Sequence, residues 1–313
     1  MTHREALLTG CGRLGGSPAA RRDAELLLQR AVGRDRAWVI AHSQADLTAE
    51  QEKLFEDWID RRLAGEPIQY ITGETEFYRM PFRVTPDVLI PRPETELLVE
   101  RAAQLVPKFL PQSDRYFELR KVIPHTWPTP EKTESGRKKP PQAPRILDIG
   151  TGSGAIAISI AHDWSEAAIT ATDLSAAALK LARENAVRLG FADRIRFLEG
   201  DLLNPVAGET FDIIVSNPPY VPEADRSTLS VEVRDHEPAL AFFAGDDGLD
   251  IYRRLIPAAH AALIPGGFLV LEIGFGQQGA VTALLDTAGF QSIETLPDLQ
   301  GIPRVVSALR GPA

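Results

Sequence analysis

The stretch from Arg145 to Asp173 constrains what this chain can fold into more than any other. Arg145-Ile-Leu-Asp-Ile149 is an apolar run of strand length, Gly150-Thr151-Gly152-Ser153-Gly154 is a glycine turn, and Ala155-Ile-Ala-Ile-Ser-Ile160 begins an apolar helix. Ala168-Ile-Thr-Ala-Thr-Asp173 follows as a second strand. It ends in a carboxylate about twenty residues past the glycines, where an acid can hold both hydroxyls of a ribose. The glycines let the backbone approach a ligand closely, and the helix N-terminus behind them favours an electron-rich group. The pattern is a nucleoside-binding strand–helix–strand unit. Gly150-x-Gly152-x-x-Ala155 also satisfies the relaxed dinucleotide fingerprint, so by itself the unit fits NAD as well as S-adenosylmethionine.

The alternation continues to the C-terminus. A helix is predicted over 176–189, a strand over 195–198 ending at Gly200-Asp201, a strand over 211–216, a helix over 248–263 and a strand over 266–273. A helix over 277–288 then leads to strands near 291–295 and 305–309. Such alternation predicts an α/β fold with a doubly wound, mostly parallel Rossmann-like sheet, and the short link between the last two strands predicts an antiparallel pair at one edge. Asp201, beside Leu202 at the end of the third strand, is a candidate acceptor for an adenine amino group.

Asn217-Pro218-Pro219-Tyr220 ends the apolar run Phe211-Asp-Ile-Ile-Val-Ser216. Ligands sit at strand ends in parallel α/β sheets. Asn217 offers a side-chain carbonyl, and Pro218 lacks an N–H but keeps its C=O, so together they can present acceptors to the two hydrogens of an amide or exocyclic amine. Pro219 stiffens the turn and Tyr220 supplies a flat wall. The plain alternative is a proline-rich turn leaving a strand. Hydride transfer has no use for two carbonyls aimed at an amine, whereas methyl transfer to nitrogen does, so the tetrapeptide favours S-adenosylmethionine over NAD.

Composition narrows the classes further. The 313 residues exceed a typical single domain, and 44% hydrophobic with 25% charged residues is ordinary for a globular protein. No apolar run reaches membrane-spanning length, the N-terminus has no signal-peptide plan, and Cys11 as the one cysteine suits a reducing cytoplasm. The six histidines are scattered without metal-ligand spacing, so no metal is expected. A net charge of −9 argues against direct nucleic-acid binding. A cytoplasmic monomer is the expectation.

Residues 1–74 read as a small helical domain. Ser17-Pro18 caps a helix over 19–32 that stops at Gly33, a short helix follows over 36–42, and Thr48-Ala-Glu-Gln51 is a capping box opening a third helix that ends at Gly65. Leu26, Leu27, Leu28, Trp38, Phe55 and Trp58 are its expected core. With no catalytic set, its role is structural or the holding of a partner. Residues 75–106 are expected to form a β-hairpin linker around Phe77–Val84 and a first helix over 97–106. Ile90-Pro-Arg-Pro-Glu-Thr-Glu96 is dense in prolines and charges for a linker, which marks Arg92 and Glu94 as substrate-site candidates, with helix capping as the alternative for Glu94 and Glu96. Residues 107–144, proline-rich and carrying Arg137-Lys138-Lys139, are expected to be a mobile surface insertion before the catalytic domain over 145–313.

Taken together, Gly65-Glu-Pro-Ile-Gln-Tyr-Ile-Thr-Gly73, Ile90–Glu96, Asp148–Gly154 and Ser216–Tyr220 resemble the HemK/PrmC family of N5-glutamine methyltransferases. The resemblance implies the S-adenosylmethionine-dependent methyltransferase version of the fold and modification of the Gly-Gly-Gln glutamine of class I peptide chain release factors. It implies that Gly150 to Gly154 and Asp173 hold the methyl donor and that Asn217 to Tyr220 hold the glutamine. The products would be S-adenosylhomocysteine and N5-methylglutamine. Two departures stand out: the long insertion, and Asp201-Leu202 where some relatives carry a tryptophan against the adenine. An adenine-N6 methyltransferase of nucleic acid and a non-catalytic nucleoside-binding module remain as alternatives.

Overall fold

The computed structural model describes residues 1–15, 19–109 and 143–312. The Ser17-Pro18 cap, Arg137-Lys138-Lys139 and nearly all of the expected insertion lie outside the described residues. The chain divides into two compact units, one of Met1–Thr75, Val84–Pro86 and Ser227–Glu237, the other of Glu76–Arg83, Asp87–Arg226 and Pro238–Ala313. Residues 75–106, read from the sequence as a linker and first helix, are therefore shared between the two.

The first unit is helical: α1 (His3–Arg13), α2 (Ala20–Val32), α3 (Arg36–Ala41), α4 (Ala49–Leu63) and α5 (Ile68–Thr72). Thr48 and Gln51 close the expected capping box, and Gly33 ends α2 at φ 71°, a left-handed position that glycine takes without a Cβ penalty. The sequence reading passed over α1, although Thr2 and Glu5 close a second capping box in front of it. Leu27, Leu28, Phe55 and Ile59 form the core with Trp38 and Trp58 packed against it; Leu26, expected among them, is only half-buried and lies outside that cluster. It sits one position off the buried stripe of α2, since Asp23, Ala24, Leu27, Leu28 and Ala31 take the inward face. The buried Asp23 is matched by Arg62 at 2.9 Å.

A hairpin, β1 (Glu74–Phe77) and β2 (Met80–Arg83), turns through Tyr78 and Arg79 at φ 50° and 59°, as a two-residue hairpin turn requires. In the second unit α6 (Glu96–Leu105) precedes β3 (Arg145–Ile149), α7 (Ala155–Asp163), β4 (Ala168–Asp173), α8 (Ala176–Leu189), β5 (Ile195–Glu199) and β6 (Phe211–Ser216). After a short helix over Val231–His236 that belongs to the first unit, α9 (Asp250–Ala262), β7 (Leu263–Glu272), α10 (Gln278–Thr287), β8 (Phe290–Pro297) and β9 (Pro303–Arg310) complete the second.

The seven strands lie in the order β5-β4-β3-β6-β7-β9-β8. Pairings from β5 through to β7 are parallel, and β9 runs antiparallel to both neighbours, so the expected antiparallel pair sits at one edge with its reversed strand one place in from that edge. Ile146 belongs to the cluster on one face, Leu147 and Ile149 to the cluster on the other. Burial on both faces explains why these strands read as continuous apolar runs rather than as alternation. Strand order reverses between β3 and β6, so the crevice at their C-terminal ends is the position where ligands bind in sheets of this kind.

Candidate active site

Both expected motifs leave the sheet at that reversal. Ile149 and Ser216 are register partners, so Gly150 and Asn217 are the next residues on adjacent strands. Gly150, Gly152 and Gly154 adopt φ of 73°, 54° and 83°, and a Cβ built on Gly150 or Gly152 would meet open space. A Cβ on Gly154 would instead lie 3.1 Å from Ile158 and 3.2 Å from Ala182, so this glycine lets the turn pack on α7 and α8. Asp173 Oδ2 accepts the Gly152 N–H at 2.8 Å while its Oδ1 accepts the Ser175 N–H at 2.9 Å. The acid is thereby fixed beside the turn. Burial raises its carboxyl pKa and those N–H groups oppose the rise.

Two buried side chains that sequence reasoning missed hold this turn. Asp148 Oδ2 accepts from the Thr151 hydroxyl at 2.7 Å and the Ala157 N–H at 3.2 Å, and complete burial pushes its pKa up to about 7. Asn185 on α8 donates to the Ser153 carbonyl at 2.9 Å and bonds both the N–H and the C=O of Arg83, at 2.8 and 3.0 Å, so one amide ties β2 to the glycine turn. Asn185 carried no visible signal, since a lone asparagine in an amphipathic helix reads as surface.

The second half of the site forms around Asn217. Its Nδ2 donates to Thr95 Oγ1 at 3.2 Å; the Thr95 hydroxyl donates to Glu272 Oε2 at 2.6 Å; and the Tyr220 hydroxyl donates to Glu272 Oε1 at 3.3 Å. Thr95 and Glu272 are 4% and 2% exposed. Burial pushes the Glu272 carboxyl up to about 7, against the bonds from Thr95 and Tyr220 and the charge of Arg304, with Glu94 adding to the rise. Tyr220 has its phenol pKa raised by burial and by Glu272, with Arg304 and Arg92 acting the other way. Pro218 is buried and Pro219 half-buried. The Tyr220 carbonyl accepts from Gln277 Nε2 at 2.9 Å, which pins the end of the tetrapeptide.

Arg92 and Glu94, the residues singled out in the proline-rich turn, lie within electrostatic reach of this network, but the group that accepts the Asn217 N–H is the hydroxyl of their neighbour Thr95. A threonine between two glutamates offers no chemical signal of its own. Glu96 accepts the Tyr78 N–H at 2.8 Å and so holds the hairpin turn. Asp201 is ion-paired with Arg254 through one of its two carboxylate oxygens. Leu202, at φ 50°, packs against the cluster on its face of the sheet, and its carbonyl accepts from Thr172 at 3.1 Å. Among the described residues no group of three or more His, Cys, Asp or Glu could hold a metal ion, and no helix is long and apolar enough to cross a membrane.

Comparison with known proteins agrees with this architecture. Residues 5–73 match the PrmC N-terminal domain and residues 137–233 the methyltransferase small domain. A release factor glutamine methyltransferase of Bradyrhizobium diazoefficiens is 43% identical over 295 residues, covering 94% of this chain and 89% of that protein. One of Moorella thermoacetica is 41% identical over 313 residues, 99% of each. The solved hMettl16 catalytic domain, in complex with a MAT2A 3'UTR hairpin, superposes with a TM-score of 0.53 over 83% of this chain and 81% of that one at 12% identity, a likeness of fold. With near-complete coverage by such relatives, a matching N-terminal domain and the methyltransferase sheet, this chain belongs to the release factor glutamine methyltransferase family.

Proposed function

We propose that this chain transfers the methyl group of S-adenosylmethionine to N5 of the glutamine in the Gly-Gly-Gln motif of class I peptide chain release factors. The observation that carries the reading is the Asn217 amide: its Nδ2 is tied to Thr95, which leaves Oδ1 as an acceptor beside the glycine turn. The open space over Gly150 and Gly152 and the fixed Asp173 carboxylate suit a nucleoside-bearing donor, which those residues with Thr151 and Ser153 would hold. The donor supplies a methyl carbon made electrophilic by its sulfonium.

An amide nitrogen is a poor nucleophile because its lone pair is delocalised into the carbonyl. Asn217 Oδ1 and the Pro218 carbonyl counter this by accepting its two N–H groups, which orients the nitrogen and stabilises the positive charge that grows on it during attack. Tyr220 walls the acceptor pocket, with its hydroxyl held by Glu272. No strong base is needed before attack, since the proton leaves afterwards from a nitrogen that methylation has made acidic. Arg92 and Glu94 would stand at the edge of the pocket as charges facing the incoming peptide.

Incubation of the purified protein with S-adenosylmethionine and purified release factor, followed by peptide mass spectrometry, tests the reading. One added methyl group on the Gly-Gly-Gln glutamine is expected, with none on an adenine-bearing oligonucleotide. Methylation of the oligonucleotide instead would favour the nucleic-acid alternative, and no transfer to either would favour a binding module.

A further inference from the structure

The hydrogen-bond chain behind Asn217 has a fixed direction. Above its raised pKa of about 7 the Glu272 carboxyl is ionised and can only accept, so its Oε2, at 2.6 Å, takes the single proton of the Thr95 hydroxyl. Thr95 Oγ1 then has only lone pairs to offer toward Asn217, and at 3.2 Å it must receive an N–H. The carboxamide of Asn217 is thereby set with its nitrogen inward and its oxygen outward. The same carboxylate receives the Tyr220 hydroxyl, and its backbone carbonyl accepts the Tyr252 hydroxyl at 2.7 Å, so Glu272 is held from both ends. An asparagine side chain has nearly the same shape after a half-turn about its last bond. In that flipped state it would present N–H groups to the substrate amide and repel it.

We propose that Thr95 and Glu272 are positioning residues that select the productive orientation of the Asn217 amide, with Thr95 passing the polarity of the Glu272 carboxylate to Asn217. The inference rests on the assignment of Asn217 as an acceptor for the substrate nitrogen. It adds residues from the proline-rich turn and from the end of β7, neither of which touches the substrate amide. Such a device acts on turnover rather than on the donor, because the glycine turn has separate supports in Asp148 and Asn185, and Asp173 is held by the Gly152 and Ser175 N–H groups.

The test is a set of variants measured for turnover on intact release factor and, by calorimetry, for S-adenosylmethionine affinity. Thr95→Val keeps the shape and removes the hydroxyl; it should lower kcat roughly 10- to 100-fold, the scale for misplacing one polar contact to a transition state, with donor affinity unchanged within about twofold. Thr95→Ser, which restores the hydroxyl, should recover most of the rate. In an Asn217→Ala background Thr95→Val should cost little more, because the group it orients is gone. Wild-type turnover in Thr95→Val, or full additivity with Asn217→Ala, overturns the positioning role. An Asn217→Ala protein as active as wild type would instead overturn the acceptor assignment, so the two failures are distinct. If Thr95→Val does not fold, labelled wild-type protein decides: nuclear Overhauser contacts from the Asn217 side-chain amide protons to the Thr95 methyl are expected, and their absence refutes the arrangement.

Discussion

The Ser216 hydroxyl donates to the Ile149 carbonyl at 2.7 Å, across two residues that are partners in the parallel register of β6 and β3. That bond joins the exits of the two central strands. The glycine turn and the Asn-Pro-Pro-Tyr segment therefore leave the sheet side by side at the reversal of strand order, although 67 residues separate the bonded pair in the chain.

Replacement of Asn217 should separate binding from chemistry. Asn217→Ala is expected to leave S-adenosylmethionine affinity almost unchanged and to lower turnover by a factor on the order of 10²–10³, the scale for losing one preorganised polar contact to a transition state. Asn217→Asp keeps an acceptor oxygen but loses the N–H given to Thr95, so it should fall between Ala and wild type. Single-turnover kinetics beside donor titration checks both.

For the donor half of the site, Asp173→Ala should weaken S-adenosylmethionine binding by roughly 1.5–3 kcal/mol, the scale of hydrogen bonds to a charged group. Part of that loss comes from the turn, because the Gly152 and Ser175 N–H groups lose their acceptor. Calorimetry giving unchanged affinity would remove Asp173 from the donor site.

Gly248 is a position where any side chain meets backbone. It sits at φ 73°, and a Cβ there would lie 2.3 Å from the Tyr220 carbonyl oxygen. Gly248→Ala should destabilise the fold by roughly 2–4 kcal/mol, combining the left-handed conformation with overpacking. It should also slow turnover by displacing Tyr220. Urea denaturation showing wild-type stability would mean that the loop relaxes freely.

Stability should also carry a pH signature from Glu272. Its folded pKa, raised by burial to about 7, exceeds its ordinary value of 4.5, so between those values the folded state holds a proton that the unfolded chain has lost. Stability therefore declines as pH rises through that window, and the penalty is fully present above it. Glu272→Gln cannot titrate. The difference in unfolding free energy between variant and wild type should shift in favour of the variant from pH 4.5 to 7, and a pH-independent difference would show that the carboxyl titrates normally.

The sequence by itself determined the sheet and its two motifs. Helix Ala176–Leu189 and strand Phe211–Ser216 appear with the bounds their periodicity and flanking residues predict, because Ser175 caps the helix, Gly190 ends it, and a strand buried on both faces must be apolar throughout. The glycine turn and Asn217 were legible for the same local reason, since their chemistry lies in consecutive residues. Only the tertiary structure decided what holds them. Thr95, Glu272 and Asn185 reach the site from the start of α6, the end of β7 and the body of α8, 122, 55 and 32 residues distant from Asn217 in the chain, and each is an ordinary polar residue in its own segment. Their meaning arises from burial, which makes an unpaired polar atom costly and so turns a threonine, a glutamate and an asparagine that do find partners into fixed, directional supports.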